Sequence, residues 1–149
     1  MTAARSFVDT NVLVYAFDVS DASRAKREVA VHILDSAVPG ELVLSTQVLQ
    51  EFYVTATRKL PNPLPPAQAA DVVKGFAAFP VVPNDARLVL AAIEISRSSQ
   101  LSLWDALLIE VARTAGCDRI LTEDLADGAT ISGVGIENPF RLTTPIPES

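Results

Sequence analysis

The segment FVDTNVLVYAF, residues 7–17, constrains the fold more than any other part of the chain. Phe7 and Val8 form a short apolar strand that ends at Asp9, and the run after Asn11 is apolar and turns helical. A carboxylate at the carboxyl end of a buried strand lies where open α/β sheets form their ligand crevices. Asp9 is therefore a candidate metal ligand, although a strand-end aspartate can also serve only as a helix cap.

Strands and helices alternate along the rest of the sequence. Strands are predicted at 7–9, 41–45, 79–83 and 119–122, with a possible fifth in the glycine-rich stretch 127–140. Helices are predicted at 22–37, 46–59, 67–78, 85–98 and 102–116, with Asn84 capping the fourth and a proline-rich surface connector at 61–66. This alternation predicts a three-layer α/β/α sandwich with a central parallel sheet of four to five strands. The length predicts one domain over residues 1–149.

Composition limits the class of partner. The net charge of −6 and the pI near 4.7 argue against a protein whose main task is to grip nucleic acid, because phosphate binding requires a basic surface. Bound divalent cations would reverse the local sign of an acidic site, so nucleic acid remains possible as a substrate. A single cysteine, the absence of an apolar run of about 18 residues and the lack of a signal-peptide pattern predict a cytoplasmic protein.

Acidic residues follow several of the predicted strands. Asp105 and Asp124 lie at or near junctions between elements, and Glu51 lies two turns into the helix after the second strand. In a doubly wound sheet such positions converge with Asp9 on one edge. Four carboxylates that close together disfavour one another's ionisation unless cations bind, and oxygen ligands select Mg²⁺ or Mn²⁺. One or two such ions can support hydrolysis of a phosphodiester.

Each acid also has a purely structural interpretation. Asp105 follows Ser102 by three residues, as in a capping box, and Asp124 could be an ordinary turn residue. Glu51 could be a solvated helix residue, although its setting VLQEFYV suggests a largely buried helix. The residues alone leave these alternatives open.

Four segments in this order resemble the PIN domain family, and more narrowly its VapC toxin branch in type II toxin–antitoxin systems. The segments are FVDTNVLVYAF, QEF, LSLWDALL and ILTEDL, followed near the end by NPF. The resemblance implies a metal-dependent ribonuclease whose catalytic acids are Asp9, Glu51, Asp105 and Asp124. In that family pattern Asp9, Asp105 and Asp124 bind Mg²⁺ or Mn²⁺, and Glu51 acts through water.

The resemblance also implies supporting residues and partners. Thr10, Asn11 and Thr122 are expected to orient the acidic side chains. The expected partners are an RNA substrate, a small antitoxin that neutralises the toxin, and a second copy of the chain in a homodimer. The mean hydropathy of +0.29 is consistent with such interfaces.

Other residues are less promising as functional groups. We expect Glu123 to be exposed, His32 to be a partly buried structural residue, Cys117 to be buried, and Trp104 to pack in the core or at the edge of the site, with base stacking as the alternative. Three basic residues near the acidic edge form either a solvated helix face or a phosphate-steering patch: Arg24, Lys26 and Arg27.

Competing functions differ in the residues they require. An aspartyl-nucleophile phosphatase would place a second aspartate two residues after Asp9, where this chain has Asn11. A nuclease specific for DNA or for nucleic-acid structure and a catalytically idle PIN binding module remain as alternatives. The intact set of four acids argues against the idle module.

Overall fold

A computed structural model describes residues 4–141. Its strands form one six-stranded sheet in the order β3-β2-β1-β4-β6-β5. All neighbouring strands are parallel except β5 and β6, which are antiparallel. The strands are β1 Ser6–Val8, β2 Leu42–Ser45, β3 Val81–Val82, β4 Arg119–Leu121, β5 Thr130–Ile131 and β6 Val134–Glu137.

Helices connect the parallel strands. Within residues 4–141 they are a 3₁₀ turn at Asp21–Ser23 and α1 Thr10–Tyr15, α2 Arg24–Ser36, α3 Thr46–Arg58, α4 Pro66–Phe76, α5 Ala86–Ser99 and α6 Leu103–Thr114. Ser45 caps α3 and Ser102 caps α6. The predicted cap of α5 is wrong, because Asp85 accepts the Leu88 N–H at 3.0 Å and Asn84 lies outside the helix.

The sheet reverses its direction of growth between β1 and β4. From β1 the chain moves outward to β2 and β3, and then returns through α5 and α6 to β4 on the other side. Right-handed crossovers in opposite directions place their helices on opposite faces of the sheet. Consistently, α1 packs on α2 and α3, and α5 packs on α6. The predicted α/β fold is confirmed.

Five of the strands are parallel, within the predicted four to five, and β5 adds a sixth, antiparallel strand at the carboxyl-terminal edge. There β5 and β6 form a hairpin across Ser132 and Gly133, whose φ angles are 50° and 82°. Positive φ at both central residues is the requirement of a type I′ turn, whose twist matches that of the flanking strands. Gly133 therefore completes a two-residue turn between β5 and β6, and the reversal of the chain at this turn makes the two strands antiparallel.

The core lies on both sides of the central strands. Phe7 and Val8 of β1 are fully buried, as expected for a strand covered on both faces. On one side three rings pack edge to face, with centroids 5.0 to 6.1 Å apart: Phe17, Phe52 and Phe76. This packing fixes α3 against α1 and α4, and α1 and α3 both carry candidate site residues.

Cys117 is buried, as predicted, and burial raises the pKa of its thiol to about 11. Thiolate is the reactive form of cysteine, so very little of the native protein is reactive near pH 8. We expect iodoacetamide at pH 8 to alkylate the native chain at least about tenfold more slowly than the chain in urea. Mass spectrometry of timed samples measures this ratio, and equal rates would contradict the burial of the thiol.

Two other predictions about single residues are wrong. His32 is exposed on α2, and Trp104 is 65% exposed at the start of α6. Both lie on helices whose opposite faces supply the buried contacts. None of the helices between residues 4 and 141 combines the length and apolar character that crossing a bilayer requires.

Candidate metal centre

The predicted site lies where the sheet reverses direction. Asp9 follows β1, and Thr122 and Asp124 follow β4, which is the neighbour of β1. Their position matches the crevice that opens at the carboxyl ends of strands at a topological switch point. Glu51 reaches the same region from α3, the helix that follows β2.

Asp9 is a buried carboxylate, with 6% of its surface exposed. Its Oδ1 accepts the Thr10 N–H at 2.8 Å as the cap of α1, and its Oδ2 accepts the Thr122 hydroxyl at 2.8 Å. Burial raises the pKa of Asp9 to about 6, with a smaller contribution from the charges of Asp124 and Glu51, while the two hydrogen bonds oppose the rise. The helix cap uses Oδ1 of Asp9, and the Thr122 hydroxyl contacts Oδ2. Ionisation of this buried carboxylate still costs free energy, as its raised pKa indicates.

Asn11 connects the acids that flank the switch point. Its Nδ2 lies 3.3 Å from Asp9 Oδ2, 3.2 Å from Thr122 Oγ1 and 3.1 Å from Asp124 Oδ2. Thr122 also accepts the Asp124 N–H at 3.1 Å. Asn11 and Thr122 therefore hold both carboxylates in place without adding charge.

Glu51 lies on the exposed side of its helix. The buried face of α3 consists of Val48, Phe52 and Ala56, so the prediction of a largely buried setting for Glu51 is wrong. Its Oε2 nevertheless accepts the Thr10 hydroxyl at 2.8 Å. Thr10 thus contacts two acids, through its N–H to Asp9 and through its hydroxyl to Glu51.

Asp105 is not part of the hydrogen-bond network that links the other three acids within residues 4–141. It is partly buried in the first turn of α6, and its N–H donates to the Ser102 hydroxyl at 3.1 Å. Within residues 4–141 no hydrogen bond joins it to Asp9, Glu51 or Asp124, nor does it contribute to the raised pKa of Asp9. Hydrogen bonds through Thr10, Asn11 and Thr122 therefore link three of the four predicted acids.

The available ligands fit a hard divalent cation. Carboxylates and hydroxyls are oxygen donors, which suit Mg²⁺ or Mn²⁺ rather than zinc. The buried Asp9 carboxylate has no cationic partner among the ion pairs of residues 4–141. Over the same residues no three acidic, histidine or cysteine side chains form a ready-made metal site. The donor chemistry thus fits, while the side chains are joined by Asn11 and the two threonines.

Glu123 belongs to a different cluster. It is partly buried, whereas the sequence predicted it to be exposed. Tyr15 donates its hydroxyl to Oε1 at 2.7 Å, and the Lys26 ammonium donates to Oε2 at 2.9 Å. Lys26 also lies 4.8 Å from the centre of the Tyr15 ring. Burial raises the pKa of Tyr15, so its hydroxyl stays protonated as a donor. With both oxygens engaged, Glu123 is a poor metal ligand.

The other two cations of the basic cluster are also engaged within the chain. Arg24 pairs with Asp21 at 3.1 Å, and Arg27 donates to the Asp18 carbonyl at 2.7 Å. The phosphate-steering interpretation therefore gains no support from the structure. The contacts instead fix the start of α2 beside the site.

Solved structures with a similar fold include a toxin–antitoxin complex and a toxin. A toxin–antitoxin complex from Klebsiella pneumoniae is similar with a TM-score of 0.68 and 19% identity, covering 92% of this chain and 99% of that one. Mycobacterium tuberculosis VapC20, described as a sarcin-ricin loop cleaving toxin, gives 0.61 and 23%, covering 80% and 91%. FitAcB from Neisseria gonorrhoeae gives 0.62 and 19%, covering 92% and 99%. At these identities the likeness shows the fold.

Family membership comes from the sequence. A search of curated protein sequences found no match. The family model of the PIN domain matches residues 6–126, which include all four predicted acids and the three predicted supporting residues. The chain therefore belongs to the PIN domain family.

Proposed function

We propose that the protein is a Mg²⁺- or Mn²⁺-dependent endoribonuclease. The observation that carries the proposal is the buried Asp9 carboxylate, which lies at the switch point of the sheet beside two other acids and has no cationic partner among the described residues. A divalent cation would compensate this charge and polarise a phosphodiester. VapC20 is described as cleaving the sarcin-ricin loop, and this description of a protein with the same fold favours RNA as the substrate class.

Each site residue has a role in this proposal. Asp9 and Asp124 would hold the cation together with Asp105, and Glu51 would orient a water molecule through a hydrogen bond. Asp105 is included on the family pattern and on its partly buried position in α6, where Ser102 supplies the helix cap and the Asp105 carboxylate makes no hydrogen bond within residues 4–141.

The supporting residues act on the ligands. Thr10 and Thr122 donate hydroxyl hydrogen bonds to Glu51 and Asp9, and Asn11 spans Asp9 and Asp124. Such partners fix the orientation of metal ligands. A bound cation would lower the pKa of an attacking water and stabilise the charge of the phosphate.

We further infer a toxin role, with a small antitoxin as the neutralising partner. One structure with this fold is described as a toxin–antitoxin complex, VapC20 is described as a toxin, and two others are described as VapBC bound to DNA. An apolar groove between α3 and α4, lined by Leu49, Tyr53, Val54 and Val73, offers a surface for an apolar segment of the antitoxin. The chain would work as a single domain, residues 1–149, in the cytoplasm.

A homodimer completes the proposal. Leu90 is 65% exposed and Ile93 is also exposed on α5, so this helix presents an apolar surface to solvent that a second copy could cover.

Exposure of the Trp104 indole next to Asp105 leaves its ring available for stacking with an unpaired base, which is compatible with a single-stranded substrate.

The substrate class can be tested by direct competition between nucleic acids. We expect purified protein with Mn²⁺ to cleave RNA and to leave a DNA of the same sequence intact, with cleavage abolished by EDTA. The measurement is gel analysis of a labelled RNA and of a labelled single-stranded DNA of the same sequence under the same conditions. Cleavage of DNA at a similar rate would support the alternative of a DNA nuclease, and cleavage in EDTA would contradict the role of the metal.

A further inference from the structure

Glu51 is held by two uncharged donors. Thr10 donates its hydroxyl to Oε2 at 2.8 Å, and Gln47 donates its Nε2 to Oε1 at 2.9 Å. None of the ion pairs within residues 4–141 includes Glu51. The carboxylate is therefore fixed in direction while its negative charge stays uncompensated, as a ligand for a cation or for a polarised water requires.

Gln47 is itself anchored by a residue from the loop that follows β3. Asn84, two residues after β3, donates its Nδ2 to Gln47 Oε1 at 2.8 Å. The Asn84 backbone N–H donates to Thr46 Oγ1 at 3.1 Å, which fixes the loop to the start of α3. A continuous chain of hydrogen bonds thus runs from the carboxyl end of β3 to Glu51.

Only one orientation of the two amides satisfies this chain. A carboxylate only accepts hydrogen bonds, so Gln47 must turn its NH₂ group towards Glu51 and its carbonyl oxygen towards Asn84. Asn84 must then present its own NH₂ group to Gln47. The direction of each hydrogen bond therefore follows from the charge of Glu51 at the end of the chain.

Helix capping does not explain the presence of Asn84. Asp85 already caps α5 by accepting the Leu88 N–H. In addition, Asn84 Oδ1 is buried and has no hydrogen-bond partner in the part of the chain that the structure describes, which is unfavourable for stability. A residue that carries such a cost and contacts a side chain of the site is better explained by its effect on that site.

We infer that Gln47 and Asn84 are positioning residues that fix the Glu51 carboxylate for metal binding. The inference rests on the proposed metal centre and extends it to the third strand of the sheet. Glu51 stands on the exposed side of α3, where a free glutamate would sample several rotamers. The hydrogen bonds from Asn84 through Gln47 to Glu51, which we call the relay, restrict this freedom. Loss of the relay therefore lowers the affinity for the metal without removing a ligand.

The test is a Mn²⁺ titration of the full chain without RNA, in which electron paramagnetic resonance measures the free ion. For Gln47→Met, which keeps the length but loses the donor, we expect the Kd for Mn²⁺ to rise about tenfold. For Asn84→Ala we expect a smaller rise of about threefold, because Gln47 remains. Gln50→Ala is the matched control, since Gln50 is an exposed glutamine of the same helix, and its Kd should not change.

A double-mutant cycle separates a relay from two independent structural effects. In the Gln47→Met background, Asn84→Ala should cause no further rise in Kd, because the group through which Asn84 acts is gone. Thermal unfolding in EDTA should change little in either variant. The inference would be overturned if the two substitutions raised Kd independently, so that the double variant showed the product of the two effects. It would also be overturned if the loss of Mn²⁺ affinity merely accompanied a loss of stability.

Glu51→Ala distinguishes failure of the relay from failure of the metal centre. If Glu51→Ala weakens Mn²⁺ binding and Gln47→Met does not, the relay is wrong and the metal centre stands. If neither Glu51→Ala nor Asp9→Asn changes the Kd, the proposed metal centre is wrong, and the inference about Gln47 and Asn84 is wrong with it.

Discussion

Replacing Asp9 by asparagine is expected to abolish cleavage and, in the absence of metal, to stabilise the protein. The substitution removes the buried carboxylate on which the proposed metal centre depends, so metal-dependent cleavage of RNA should fall by more than about 100-fold. The same carboxylate is costly to the fold, because burial raises its pKa to about 6. Relative to the ordinary value of 3.8, this corresponds to about 3 kcal/mol at pH 7.5.

Asparagine recovers only part of this free energy. Its Oδ1 can still accept the Thr10 N–H, but its NH₂ group would face the Thr122 hydroxyl and the Asn11 NH₂ group, both of which donate to Asp9. We therefore expect a net gain of about 1 kcal/mol in EDTA, which raises Tm by a few degrees.

Two measurements check this prediction on the same preparation. Cleavage is followed on labelled RNA with Mn²⁺, and Tm is followed by circular dichroism in EDTA. Asp71→Asn is the control, because Asp71 is an exposed acid on α4 and should change neither quantity. Undiminished cleavage by Asp9→Asn would contradict the metal-ligand role, and a lower Tm would contradict the cost of the buried charge.

The parts of the structure that sequence could predict depend on local patterns. Asp9 ends an apolar strand, and strands alternate with helices, so the α/β class and the place of Asp9 at the carboxyl edge follow from the residues themselves. The hairpin of β5 and β6 was also within reach, since Ser132-Gly133 is a two-residue turn of a known type. Its short strands gave too little alternation to show their direction.

Contacts between distant segments could not be predicted in this way. Lys26 and Glu123 are 97 residues apart, and Gln47 and Asn84 are 37 apart. A single sequence without homologues contains no pattern that pairs such residues. For the same reason the exposure of Trp104 was missed, because a tryptophan beside apolar residues gives no indication of which face of the helix it occupies.

The place of Asp105 depends on family resemblance more than on geometry. The other three acids are linked through Thr10, Asn11 and Thr122, whereas no hydrogen bond within residues 4–141 joins Asp105, on α6, to them. A neutral amide between Asp9 and Asp124 keeps these carboxylates apart in the absence of a cation. The proposed site therefore needs metal to complete it, and protons should compete with metal for Asp9.

Stability without metal is expected to rise as the pH falls from 7 to 5. The pKa of Asp9 is about 6 in the folded chain and near 3.8 in the unfolded chain, so the folded state binds the proton first in this range. The free-energy cost of the buried charge is fully present well above pH 6. It decreases as the pH falls through the pKa of the folded state. We expect a gain of about 1 kcal/mol in the free energy of unfolding, measured by urea titration in EDTA.

Two other carboxylates with shifted pKa values do not interfere in this range. Hydrogen bonds from Ser20 and Ser23 lower the pKa of Asp18 despite its partial burial, and a hydrogen bond from the Asn138 N–H lowers that of Asp127. The stability that these two acids contribute is lost only below their ordinary value of 3.8. Asp9→Asn should therefore remove most of the gain between pH 7 and pH 5, and an unchanged gain in that variant would assign it to another group.

Metal binding should show the opposite dependence on pH, and the contrast identifies the group. A cation and a proton compete for the same carboxylate, so protonation of Asp9 near pH 6 should lower the affinity for Mn²⁺ about tenfold between pH 7 and pH 5. Acidification would then stabilise the chain in EDTA and weaken its stabilisation by Mn²⁺. The measurement is a Mn²⁺ titration at pH 7 and at pH 5. An affinity that is independent of pH would exclude Asp9 as a direct ligand, even if cleavage required a divalent ion.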